Sequence, residues 1–191
     1  MKTILWGSLI VIISFVACSK DSKDDIKIEI NDLALITGLN IVNHNGDILK
    51  GFGNPNDAKH TSINNDGSIG VRTNYSILPN PAVDVIYVHA NGSITSLWIV
   101  PGHISTQYQN IDFDEVYKST AIDTTGIDKK SVINNTDQVF ADGQLNLNIS
   151  DLEQGFYKII IEVDNSNLFW QAIYKSDVSY DLDEMNYIPW K

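Results

Sequence analysis

An all-β, antiparallel sandwich is the fold class that this sequence predicts, and three observations predict it. The dominant hydrophobic period is two, glycine-containing turn signals recur at short spacing, and no long helical pattern follows the first 17 residues. Two sheets that each have one apolar face must bury those faces on one another.

The chain begins with a small basic region, Met1-Lys2-Thr3, and an apolar run from Ile4 to Val16. That run has the length read by signal peptidases and is short for a bilayer span. It closes on Phe15-Val16-Ala17-Cys18, which resembles the lipobox of bacterial lipoproteins, where the cysteine is acylated before cleavage. Cys18 is the single cysteine, so no disulfide forms within one chain. The resemblance implies a cleaved lipoprotein signal peptide over 1–17 and lipidation at Cys18, a palmitate-bearing membrane anchor. Each buried methylene contributes about 0.8 kcal/mol, so several chains hold a protein far more firmly than one. Residues 18–25 then form a polar, acid-rich run expected to be a disordered tether. That run is also similar to the acidic surface-export signal of lipoproteins in Gram-negative bacteria related to those with type IX secretion.

Strands follow in order. Ile26, Ile28 and Ile30 alternate with Lys27 and Glu29, and a β-rich run covers Leu33 to Val42. Residues 26–68 are expected to add N-terminal strands to the sandwich. Further runs lie at Ile69 to Leu78, Val83 to Ala90 and Ile94 to Val100. Val83 to Ala90 and Ser96 to Val100 are apolar on both faces, the pattern of central strands. Leu145, Leu147 and Ile149 alternate with asparagines, and Tyr157, Ile159, Ile161 and Val163 alternate with Lys158, Ile160 and Glu162, the first set forming a buried face. Leu168 to Tyr174 is the last run. Asn45-Gly46 and Asn91-Gly92 supply the positive φ of tight hairpins, with looser turns at Asn65-Asp66-Gly67 and Asp164 to Asn167. Short helical turns are expected at Phe113 to Lys118 and Asp151 to Gln154.

Three pieces in the second half resemble the C-terminal sorting domain of type IX secretion cargo. They are Leu78-Pro79-Asn80-Pro81-Ala82 leading into Val83 to Val88, Leu97 to Ile104 with its Pro101-Gly102, and Leu147 to Tyr157 with its leucine, glycine and tyrosine signature. The resemblance covers roughly residues 69–175 and implies an immunoglobulin-like β-sandwich, with 105–144 as an insertion and 176–191 as a C-terminal extension. A sorting signal ends its protein, whereas this chain continues and carries an anchor motif at its other end, so the fold is carried over and the sorting role is not.

Composition narrows the function. The net charge is −11 and the only arginine is Arg72, so the chain cannot neutralise a run of phosphates and nucleic acid is excluded as a partner. His44, His60, His89 and His103 lie in separate segments without metal-ligand spacing, and no metal or cofactor is expected. No Gly-x-Ser-x-Gly elbow or phosphate loop occurs. Asp112, Asp114 and Glu115, and Asp181, Asp183 and Glu184, are short acidic clusters that read as solvated loops rather than calcium or paired-carboxylate sites. Trp98 and Trp170 fall in strand patterns and are expected in the core. Tyr108 and Tyr117 in the insertion, and Tyr180, Tyr187 and Trp190 in the extension, are the aromatic candidates for ligand contact, since exposed rings stack on sugars or peptides.

The expected function is a lipid-anchored, non-enzymatic binding or accessory module of a Gram-negative outer membrane, on the cell-surface or periplasmic face, with a glycan or protein ligand. One alternative is a hydrolase of polysaccharide or peptide using Asp112, Asp114 or Glu115. The other is a structural component of a surface assembly.

Overall fold

The computed structural model describes residues 32–58, 61–63, 69–71, 75–119 and 124–178. The N-terminal apolar run, Cys18, the tether, the Ile26 to Ile30 alternation and the extension beyond 178 lie outside the described residues.

The protein is mostly β. In chain order the strands are β1 (Leu35–Ile36), β2 (Gly38–Val42), β3 (Ile48–Gly53), β4 (Thr61–Ile63), β5 (Ile69–Val71), β6 (Tyr75–Leu78), β7 (Val85–Ala90), β8 (Ile94–Pro101) and β9 (His103–Ile104). Two short helices follow, α1 (Phe113–Ser119) and α2 (Ile127–Lys130), then β10 (Ile133–Asn135), β11 (Gln144–Asn148), β12 (Gly155–Val163) and β13 (Asn167–Lys175). Two sheets organise them, one with the order β10-β8-β12-β13 and the other with the order β11-β7-β6. Both are antiparallel throughout, and the small β1-β9 pair is parallel.

The inner face of the larger sheet carries Ile99, Ile159 and Gln171 in one cross-strand row and Leu97, Ile161 and Phe169 in the next. The smaller sheet meets it with Tyr75, Ile77, Ile86 and Val88, all buried in the same core cluster. The Tyr75 and Phe169 rings lie 5.2 Å apart, and Gln171 Nε2 donates across the gap to Ile77 O at 3.0 Å. Two inner faces thus close one core.

The outer face of the larger sheet is also buried. Trp98, Ile160 and Trp170 share a row there, flanked by Lys158, and all four are under a tenth exposed. The period-two pattern puts Lys158 and Ile160 on the open side of their strand, and the structure corrects that. Two segments cover them. The Tyr117 ring of α1 meets Trp170 edge-on at 5.0 Å, Trp98 Nε1 donates to Asp128 of α2 at 2.8 Å, and Trp170 Nε1 donates to Asn56 O at 2.8 Å. The insertion and the segment around Asn56 therefore form a third layer, and burying each large apolar side chain beneath it contributes roughly 2 kcal/mol.

Turns follow the sequence reading in part. Asn45-Gly46 joins β2 to β3, with Gly46 at φ +87°. Asp164 and Asn165 take φ 54° and 57° in the β12–β13 hairpin. Asn91-Gly92 departs from expectation, because the strands on either side of it belong to different sheets. It is a corner between layers, held by Ser93 N donating to Asp164 Oδ1 at 3.0 Å, and a Cβ on Gly92 would collide with Asp164 and Val163. The expected helical turn near Phe113 is α1, and the one at Asp151 to Gln154 is a non-helical turn.

Both edges of the larger sheet differ in kind. The outer edge of β13 is occupied: Ala58 N and Tyr75 OH donate to Trp170 O, Asp57 Oδ1 accepts from Ala172 N, and Asn80 bonds Ala172 and Tyr174. Among the described residues no strand pairs with the outer side of β10, nor with that of β11 in the smaller sheet.

Candidate functional site

The smaller sheet has one face in the core and one in solvent, and the alternation of its strands decides what solvent meets. In β7, Ile86, Val88 and Ala90 point inward while Val85, Tyr87 and His89 are exposed. In β11, Leu145 and Leu147 are half-buried against the core while Gln144, Asn146 and Asn148 are exposed. Register then fixes neighbours. Tyr87 stands opposite Asn146 on one side and Leu78 on the other, and His89 stands opposite Gln144 and Ser76. Directly opposed Cβ atoms are about 5 Å apart, so these side chains form one continuous grid.

Tyr87 is 45% exposed at the middle of this grid. Its backbone is held in a ladder on both sides, so the ring stands on a rigid platform rather than a loop. Carboxamides beside it offer both donors and acceptors. No lysine, arginine, aspartate or glutamate belongs to the grid, although the chain as a whole carries −11. The face is thus suited to a neutral, hydroxyl-rich ligand that stacks on an aromatic ring.

Val83 to Ala90, which reads as apolar on both faces, is therefore central within its sheet but open on one side. That pattern conceals Tyr87, which sequence reasoning missed. The signal that locates it is the strict leucine–asparagine alternation of β11, which already marks a sheet with one wet face.

The sequence candidates fare differently. Tyr108 is 4% exposed and packs with Leu35 and Phe113, so its ring is not open to a ligand; the insertion folds back onto the sheet and takes it inside. Tyr117 is half-buried between Phe113, stacked at 5.8 Å, and Trp170. Burial pushes its phenol up to about 12, with the Asn56 hydrogen bond lowering it and Asp57 raising it. Tyr180, Tyr187, Trp190 and Cys18 lie outside the described residues. Trp98 and Trp170 are core residues, each 8% exposed.

Asp112 acts locally, its Oδ1 accepting from Glu115 N at 3.2 Å to cap α1, whose first turn carries Asp114 and Glu115. Acids there suit the exposed N–H groups of a helix start. Among the described residues two clefts are formed that none of these three residues lines. One, of about 180 Å³, lies between the β2–β3 hairpin and β6, with Ile48, Tyr75 and Gln171 on its walls. The other, of about 590 Å³, lies beside β10 and β11. Among the described residues no group of three or more His, Cys, Asp or Glu side chains is placed to hold a metal ion, and no helix is long and apolar enough to cross a membrane. No known protein family, curated protein or solved structure matches the chain.

Proposed function

We propose that this protein is a lipid-anchored, non-enzymatic binding module that holds a neutral glycan on the open face of its three-stranded sheet. The observation that carries the reading is Tyr87, half-exposed in the centre of a grid that holds amide, hydroxyl and imidazole side chains and no carboxylate, lysine or arginine. A pyranose ring has an apolar face for the phenol and equatorial hydroxyls for Asn146, Gln144 and Ser76. A rigid platform loses little entropy on binding. The fold is read as an immunoglobulin-like sandwich, with the insertion as an added layer. The anchor is assigned to Cys18 on the strength of the apolar run and the small residues before it.

Each half of the proposal has its own test. Titration with neutral gluco-, manno- and xylo-oligosaccharides, followed by amide NMR, is expected to shift Tyr87, Asn146 and His89 together. Tyr87→Ala is expected to weaken that binding about tenfold or more, as loss of a central aromatic contact does. Binding that survives Tyr87→Ala unchanged, or no binding by any of the three sugar classes, defeats the glycan reading. Metabolic palmitate labelling is expected in the wild type and absent in Cys18→Ala; an unlabelled wild type removes the anchor.

A further inference from the structure

The cleft of about 590 Å³ lies where the two sheets present their open edges, on the side away from the occupied edge of β13. Its floor is Tyr157, 8% exposed, whose hydroxyl donates to Glu153 O at 2.9 Å. Its walls are apolar at Ile133, Ile149 and Leu152, and Val132 beside them is 50% exposed. Two carboxylates, Asp151 and Glu153, stand at its rim, and both residues are exposed.

Charge and edge chemistry select what fits. No lysine, arginine or histidine lines the cleft, and among the described residues neither Asp151 nor Glu153 forms a salt bridge. The cleft is therefore anionic, on a chain whose net charge is already −11. Among the described residues β10 bonds to β8 on one side only, so its other side offers backbone groups to a further strand. An open strand edge beside apolar pockets is the arrangement by which sheets take up extended peptides. β13 shows the contrast, because Asp57, Asn80 and Tyr75 already fill its outer edge with side-chain hydrogen bonds.

We propose that this cleft docks an extended peptide segment of a partner protein, in which lysine or arginine alternates with apolar residues. The apolar side chains lie against Val132, Ile133 and Leu152 while the cations meet Asp151 and Glu153. The site adjoins the Tyr87 face at Asn148, which lines the cleft at the end of β11, but it is centred on other residues and stands on separate observations.

The test uses the purified full chain and the probe peptide acetyl-VKVTVKV-amide, labelled for fluorescence anisotropy, with acetyl-VEVTVEV-amide as its charge-reversed partner. The lysine peptide is expected to bind, with salt-weakened affinity, and the glutamate peptide is not. Asp151→Asn with Glu153→Gln is expected to weaken binding roughly tenfold, as loss of two partly exposed ion pairs would. Asp137→Asn with Asp114→Asn removes the same charge elsewhere and is expected to leave binding within about twofold, as is Tyr87→Ala. Val132→Lys is expected to abolish it. Absence of binding, equal binding of the glutamate peptide, or equal losses in the two double variants overturns the proposal. So does occupation of the cleft by a neutral oligosaccharide, seen as amide shifts at Val132 and Leu152.

Discussion

Asn80→Ala is expected to destabilise the protein by about 3 to 5 kcal/mol, a large share of the stability of an ordinary domain. Asn80 is fully buried between two structural units. Its backbone exchanges both hydrogen bonds with Val42 of β2, at 2.7 and 2.9 Å. Its side chain donates from Nδ2 to Asn40 O at 2.7 Å and Ala172 O at 3.0 Å, and accepts at Oδ1 from Tyr174 N at 3.0 Å. Alanine keeps the backbone pair and strips partners from three backbone groups. Each unmet buried group costs on the order of 1 to 3 kcal/mol, less where water can reach it. Thermal unfolding is expected to fall by about 10 °C, given a few degrees per kcal/mol for a chain of this size. Asn110→Ala, at an exposed position, is expected to stay within about 0.5 kcal/mol. A measured cost below about 1 kcal/mol for Asn80→Ala would show that the edge of β13 does not depend on this side chain.

The same residue shows what a sequence can and cannot convey. The prolines on either side of Asn80 announce a turn before a strand, because neither can donate to a ladder. Nothing local says that the asparagine between them reaches three backbone groups on two other strands, the farthest of them 94 residues along the chain. Strand positions are legible for the converse reason: period-two alternation and β-rich runs are both local, and β11 and β12 fall where the first places them, β8 and β13 where the second does. Burial of the second face was not. Lys158 and Ile160 alternate with the core residues as solvent-facing positions should, and only the arrival of α1, α2 and Asn56 from distant sequence covers them. Tyr108 inverts for the same reason, since a tyrosine in a polar insertion gives no local sign that the insertion is itself a layer. Tyr87 shows the remaining ambiguity. An aromatic residue between isoleucine and valine reads as core, and its exposure arises because, among the described residues, no third layer covers the smaller sheet on that side.

Lys158→Met is expected to stabilise the protein at pH 7 by on the order of 2 to 3 kcal/mol and to lose that advantage as the pH rises. Lys158 is 1% exposed, and its Nζ donates to Leu35 O at 2.5 Å. Burial lowers its pKa from 10.5 to about 8, against the opposing pull of Asp57 and Asp32. Below pH 8 both folded and unfolded chains carry the proton, and the folded state bears the full cost of a desolvated ammonium. Between pH 8 and 10.5 the folded lysine has lost its proton while the unfolded one keeps it, so the unfolded state binds more protons and stability rises with pH. Tyr75 and Tyr117 act in the opposite sense above pH 10, because burial raises both phenols and the unfolded chain ionises first. Wild-type stability is therefore best compared with Lys158→Met at each pH, which cancels the tyrosines and the general repulsion of an acidic chain. Methionine retains most of the stem, and Leu35 O keeps its second donor, Asn56 Nδ2 at 2.9 Å, so no acceptor is orphaned. Urea unfolding of both proteins at pH 7, 8, 9 and 10 measures the difference directly. It should be largest at the acid end of that series and mostly gone at the alkaline end. A difference that does not change with pH would mean that Lys158 holds its proton equally in the folded and unfolded chains, and a methionine variant weaker than wild type at pH 7 would mean that the ammonium under the third layer stabilises the fold.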